Sequence, residues 1–361
     1  MALIRREFWR DRPVLVTGHT GFKGGWLATW LLTLGARVSG YALAPDTTPS
    51  YFVSCGLAER FASRLGDVTD GAALEAALAA ARPSVIFHLA AQSLVRRSYR
   101  APVQTFATNV LGTTRLLEAV RRTPSVQAVV VVTSDKCYAN HERPEGYRED
   151  EPLGGDDPYS ASKAATELVT TAYRRSFFTA GARIATARAG NVIGGGDWSE
   201  DRLIPDVVRA LARGYAVRLR NPSAVRPWQH VLEPLGGYLV LAERLVDSEG
   251  FATAFNFGPR DDDAVPVAAL VELVLALWGE GRWEAEAEAD APHEAGLLRL
   301  DCRRAHERLG WQPVLTLKEA AELSVTWYRA AAAAASAAAL FDLGREQIAW
   351  YEKRWQATRQ P

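Results

Sequence analysis

A chain of 361 residues with 48% hydrophobic content holds enough apolar mass for one large core or two coupled ones. Lys+Arg and Asp+Glu balance at 42 each, which excludes a global field that would recruit nucleic acid or an anionic membrane. Cys55, Cys137 and Cys302 lack metal-ligand spacing and are too few for a disulfide framework. The opening MALIRREFWRDRP has no apolar targeting core, and no later run is long enough to span a bilayer. The expectation is a soluble cytoplasmic protein without a bound metal.

In chain order, PVLVTG (13–18) is a short apolar strand that breaks at glycine, and residues 22–36 follow with helical spacing. RVSGYAL (37–43) predicts a second strand, and residues 71–81 a helix. Apolar runs at 84–91, 128–134 and 182–190 alternate with helical patterns at 103–122 and 159–178. Near-continuous apolar strands between helices predict a parallel sheet covered on both faces. The fold class is therefore α/β, a doubly wound Rossmann-type parallel sheet, whose ligands bind beyond the strands' carboxyl ends.

After Gly190 the rhythm changes. NVIGGGDWSEDRLIP is glycine-rich, polar and long for a loop, and RNPSAVRPWQHV (220–231) mixes turn residues with basic and aromatic ones. Amphipathic patterns return at 267–278 and 317–340, the alanine-rich end of the latter being helical by propensity. The predicted organisation is a dinucleotide-binding domain over 1–190 with return segments near 227–260. A smaller α/β substrate domain takes 191–226 and 261–340, and a helical tail takes 341–361.

Two constellations point to chemistry. In VTGHTGFKGGWL, Gly18, Gly21 and Gly24 stand at G-x-x-G-x-x-G spacing between a strand and a helix. Glycines let the backbone approach a pyrophosphate, which the helix N-terminus favours; the bland alternative is a tight turn. Lys23 in the same turn is a minor phosphate candidate. Tyr159 and Lys163, four residues apart, share one helix face, and an ammonium near a phenol favours phenolate. His88, in an apolar strand, reads as a core histidine and Cys137 as a packed thiol. Trp228 either stacks on a base or fills core.

The glycine motif, HLAAQ (88–92), Asn109, the strand ending at Thr133 and the Tyr159/Lys163 couple together resemble the extended short-chain dehydrogenase/reductases. Within that family, TGHTGFKGGWL, TSDKCYAN, PLGGDDPYSASKA, ARAGNVIGGGDWSEDRLIPD, RPWQHVLEPLGGYLVLAE and NFGP are similar to CDP-glucose 4,6-dehydratases, over about residues 8 to 330. The resemblance implies NAD held by Gly18, Thr20, Gly21, Phe22, Lys23, Gly24, Asn109, Tyr159 and Lys163. Asp67 and Val68 would border its adenine, and Leu89, Ala90 and Ala91 are further implied cofactor contacts. NAD is the family's implication alone, because the second strand's end, VSGYALAP, carries neither an acid for a 2′-hydroxyl nor an arginine for a 2′-phosphate.

For catalysis the resemblance implies Thr133, Asp135, Lys136, Tyr159 and Lys163. Tyr159 takes the glucose 4-OH proton as C4 gives up hydride, and the resulting ketone acidifies the C5 hydrogen. Elimination of the 6-hydroxyl then needs a base and an acid, which the adjacent Asp135 and Lys136 supply in one order or the other. Lys136 stands where other sugar-nucleotide dehydratases often carry glutamate, and the alternative reading of the pair is a surface salt bridge. Asn191, Arg202, Leu203, Ile204, Arg220, Arg226 and His230 are the expected substrate contacts, arginine forks suiting a diphosphate. A 4-epimerase needs no elimination pair, and a non-catalytic dinucleotide-binding protein needs no Tyr159/Lys163 couple. Helices 103–122 and 159–178 resemble the family's pairing helices, implying a homodimer or homotetramer.

Overall fold

The computed structural model describes residues 4–286 and 297–358. Seven parallel strands form the central sheet: β1 (Pro13–Thr17), β2 (Arg37–Ala42), β3 (Ala62–Leu65), β4 (Val85–His88), β5 (Ala128–Val132), β6 (Arg183–Arg188) and β7 (Ala254–Asn256). Their order is β7-β6-β5-β4-β1-β2-β3, so the winding direction reverses between β1 and β4. Side chains alternate along β5: Ala128, Val130 and Val132 enter one core, Val129 and Val131 the other. A strand buried on both faces with no polar partner beside it is apolar at every position, which is why AVVVV reads so plainly. β7 has only three residues and no such run.

Helices α1 (Phe22–Thr33) and α6 (Leu232–Asp247) bury Trp26, Trp30, Leu235 and Leu239 against one face of the sheet. α2 (Gly71–Ala81) and α3 (Gly112–Arg121) bury Leu74, Leu78, Leu116 and Leu117 on the other, next to α4 (Pro158–Phe177). α4 starts where it does because Pro158 suits the first turn and the Asp157 side chain accepts from the Ser160 amide. α5 (Leu203–Ala212), α7 (Val267–Trp278) and α8 (Leu317–Ala332) bury Ile204, Val207, Leu270, Val274, Ala320 and Val325 in the same core as α1 and α6.

Two helices differ from the sequence pattern. Residues 103–121 are helical throughout, but Ala107–Leu111 widens into a π-helical turn before α3. The run 317–340 breaks after α8: Ala334 takes a positive φ of 55°, and the Ser336 hydroxyl caps a new helix, α9 (Ala337–Ala357). α9 is no appended tail. Tyr351 and Trp355 are buried in the main core, and the Trp30 indole donates to Glu352 at 2.8 Å.

Glu233 on α6 ties this end together. Its Oε1 accepts from the Val314 and Leu315 amides at 2.8 and 2.7 Å, and its Oε2 from the Tyr351 hydroxyl at 2.7 Å. Burial, outweighing those hydrogen bonds, pushes the carboxyl from 4.5 up to about 7. A raised folded value means the associated stability is present below the unfolded value and lost as pH rises through 7. Gln keeps an oxygen for both amides and offers Tyr351 a donor. Glu233→Gln is therefore expected to be more stable than wild type above pH 7, the gap closing toward pH 4.5, in urea midpoints measured across pH. A gap independent of pH would contradict this.

Candidate active site

A cleft of about 1580 Å³ follows the carboxyl ends of β1, β4, β5 and β6 across the winding reversal. At one end lies the glycine turn, with Thr20, Phe22 and Lys23 also on the wall. Gly18 has φ +75°, and a Cβ there would sit 2.7 Å from the Ala90 nitrogen; one on Gly24 would sit 2.1 Å from the Gly18 oxygen. Only bare backbone lets β1, the turn and α1 close so tightly. Gly21 caps α1 without a side-chain hydrogen bond. Asp67, Val68, Leu89, Ala90 and Ala91 line the same end. So does Asp46, which the sequence reading missed because it lies four residues beyond β2; it pairs with Arg97 at 2.6 Å. The Lys23 ammonium donates to the Tyr238 hydroxyl at 3.1 Å, and desolvation, with Arg202 and Lys163 adding repulsion, pulls it down to about 7.

Asn109 does not reach the cleft. Buried in the π turn, it donates to Gln92 O at 3.0 Å and Ser162 Oγ at 2.8 Å and accepts from the Gln92 amide at 2.8 Å. It braces the HLAAQ loop against α4. His88 is a core histidine bonded to Thr17 and Thr113, and burial pulls it down to about 3. Cys137 is a buried thiol packed with Tyr138 and Tyr147.

Tyr159 and Lys163 face the centre of the cleft from the first turns of α4. The Lys163 ammonium donates to Val132 O at 3.2 Å, and burial pulls it down to about 8. Burial pushes the Tyr159 phenol up to about 12, against a hydrogen bond with Ser134 and the charge of Arg202. The hydroxyl beside Tyr159 is thus Ser134, not Thr133. The Thr133 hydroxyl turns the other way and donates to Glu167 at 2.5 Å, because consecutive residues leaving a strand point to opposite faces. Glu167 also accepts from Thr186 at 2.8 Å and pairs with Arg188 at 2.8 Å. The parity of β5 was the available signal.

Asp135–Cys137 winds into a single 3-10 turn that Ser134 caps. The Asp135 Oδ1 accepts from the Ser134 hydroxyl at 2.8 Å and the Lys136 amide at 2.9 Å. Among the described residues the Lys136 ammonium has no hydrogen bond or ion pair, so the two neighbours form no salt bridge. Both side chains line the cleft alongside Tyr159.

The far end is basic. Asn191, Arg202, Leu203, Ile204, Arg220 and Arg226 line it, with Trp228. Arg202 pairs with Asp197 at 3.1 Å and caps α5 without a side-chain bond; Arg220 pairs with Asp201 at 3.1 Å. His230 departs from expectation. It is fully buried against the Trp26 edge, accepts from the Leu232 amide at 3.3 Å and does not line the cleft. An apolar surround pulls it down to about 3, as for any imidazole cut off from water.

A glycine-cradled parallel sheet with Tyr-x-x-x-Lys at its switch point defines an extended short-chain dehydrogenase/reductase. Residues 15–323 match the family model described as GDP-mannose 4,6 dehydratase, and the chain belongs to that family. It is 49% identical over 336 residues to a CDP-glucose 4,6-dehydratase of Salmonella typhimurium, covering 91% of this chain and 93% of that one. It is 31% identical over 322 residues to a UDP-glucose 4-epimerase of Mycolicibacterium smegmatis, covering 87% and 98%. The crystal structure of DesIV, a dTDP-glucose 4,6-dehydratase from Streptomyces venezuelae with NAD and TYD bound, superposes with a TM-score of 0.75 at 25% identity, over 88% and 96%.

The exchange of Ser134 for Thr133 is testable. Ser134→Ala is expected to lower kcat by about 10²-fold, a range typical of lost proton-transfer support, and to cost about 1 kcal/mol through the lost turn cap. Thr133→Val should instead leave kcat near wild type while lowering the urea midpoint through Glu167. The reverse pattern would return Thr133 to the chemistry.

Proposed function

We propose that the chain converts CDP-glucose to CDP-4-keto-6-deoxyglucose and water, with NAD held and recycled in the cleft. The observation that carries the reading is Asp135 and Lys136 side by side on the cleft wall near Tyr159, without an ion pair between them. The 49% identity to a CDP-glucose 4,6-dehydratase supports the substrate. The glycine turn, where no Cβ fits, and the wall of Asp67, Val68, Leu89, Ala90 and Ala91 suit a dinucleotide. These residues would hold NAD, which would supply the hydride acceptor for the sugar's C4 and the hydride donor for C6.

The side chains do the rest. Tyr159 accepts the 4-OH proton, its phenolate favoured by Ser134 and Arg202 against burial. Lys163, anchored on Val132 O, keeps an ammonium under the tyrosine's helix turn. With C4 a ketone, Lys136 acts as the base that removes the C5 proton, and the C5–C6 double bond forms as the C6–O bond breaks. Asp135 protonates the departing 6-hydroxyl, which leaves as water. Hydride at C6 and a proton at C5 then complete the 6-deoxy sugar. Arg202, Arg220 and Arg226, with the amino end of α5, hold the diphosphate.

An epimerase of the same fold would need neither Asp135 nor Lys136 in the cleft, and product mass separates the two reactions. In this reading residues 4–190 and 227–260 make the cofactor half, with which α9 packs, and 191–226, 261–286 and 297–336 make the substrate half. Two copies pair through the exposed apolar side chains Val103, Phe106 and Leu111 and, on α4, Leu168 and Phe177; sedimentation as a monomer would contradict this. The buried, unpaired thiols of Cys55 and Cys137 suit a reducing cytoplasm.

Lys136→Met keeps the side chain's length and removes its amine. Mixed with CDP-glucose, the variant is expected to accumulate reduced nicotinamide while product and solvent-deuterium incorporation at C5 fall about 10²-fold or more. Normal C5 exchange would assign the base elsewhere.

A further inference from the structure

The Asp135 carboxyl lies flat against Gly190, the second residue after β6. A Cβ on Gly190 would stand 2.0 Å from Asp135 Oδ2, 2.1 Å from Cγ and 2.3 Å from Oδ1. All three carboxyl atoms thus occupy the space that any other residue at 190 would fill. Asp135 is only 3% exposed although it borders the cleft, so a displaced carboxyl has only the cleft to move into.

The backbone at 190 is itself clamped. Gln229 Nε2 donates to Gly190 O at 3.1 Å and to Phe257 O at 2.9 Å, and the Gln229 amide donates to Asn191 O at 3.2 Å. Asn191 follows at φ 50°, turning the chain away from β6. Asp135 is held equally firmly from its own side, since Oδ1 accepts from the Ser134 hydroxyl and the Lys136 amide. Either partner can yield only by straining these hydrogen bonds.

We propose that Gly190 is a positioning residue for the acid of the elimination step: its bare Cα is the seat that lets the Asp135 carboxyl reach the cleft in register with Lys136 and Tyr159. The proposal rests on the reading of Asp135 as the group that protonates the departing 6-hydroxyl. Gly190→Ala forces the carboxyl back by roughly 1 Å or more, and displacements of that size cost about 10²-fold in rate. Tyr159 and Lys163 approach from α4 and keep their places, so oxidation at C4 survives.

The test is a double-mutant cycle of Gly190→Ala and Asp135→Ala in the NAD-loaded protein, with product formation, reduced-nicotinamide absorbance and urea midpoint read for each. Gly190→Ala alone is expected to retain CDP-glucose binding, accumulate reduced nicotinamide and lose product about 10²-fold. It should also lower the midpoint. In the Asp135→Ala background the added methyl meets no carboxyl, so Gly190→Ala should cost nothing further in rate or midpoint. Wild-type product formation by Gly190→Ala, or equal losses in both backgrounds, would overturn the proposal. Full turnover by Asp135→Ala would overturn the acid assignment instead, and the midpoint cycle, which involves no chemistry, still decides whether Gly190 seats the carboxyl.

Discussion

One buried carboxylate, Glu167, holds the reacting end of the sheet to the helix that carries Tyr159 and Lys163. It accepts from Thr133 at the end of β5 and from Thr186 and Arg188 on β6, the Arg188 guanidinium giving two bonds at 3.0 and 2.8 Å. Burial alone would push Glu167 up, but Arg188 and these hydrogen bonds hold it below the ordinary carboxylate value. Arg188 continues the chain to the Tyr138 hydroxyl at 2.7 Å, which donates to Asn256 on β7. Three strands and one helix are thereby locked at the level where chemistry occurs. Removing one member of such a pair strands the other charge in the interior, at a cost of about 3–5 kcal/mol.

From that anchor the site follows by alternation. With Thr133 committed to Glu167, Ser134 must point into the cleft, where it meets Tyr159 and caps the turn that presents Asp135 and Lys136. The turn's own amide satisfies Asp135, so the Lys136 ammonium is not required for that task. A carboxyl and an amine adjacent in sequence therefore stay chemically separate. This is the arrangement that an acid and a base acting on neighbouring carbons need.

Much of the sheet was legible because burial on both faces leaves no polar residue to interrupt β1, β4 and β5, and the glycine turn because no side chain fits it. Single orientations were less legible. Thr133 and Ser134 are both small hydroxyls, and only strand parity decides which one faces Tyr159. His230 sits in a basic, aromatic segment that does border the cleft, yet its ring packs inward on Trp26. Asn109 is polar and central in the pattern, but its hydrogen bonds run within the protein. The long alanine-rich stretch hid a helix boundary because alanine favours helix on both sides of Ser336, and only the serine cap marks the break.

The central claim is that the sugar's own C4 hydrogen returns to C6 while Asp135 and Lys136 handle the protons between. CDP-glucose deuterated at C4, turned over in ordinary water and read by mass and NMR, tests it most directly. The account predicts deuterium retained in the product's methyl group and a solvent proton at C5. Deuterium lost to solvent, or still at C4 of an epimerised sugar, would contradict it.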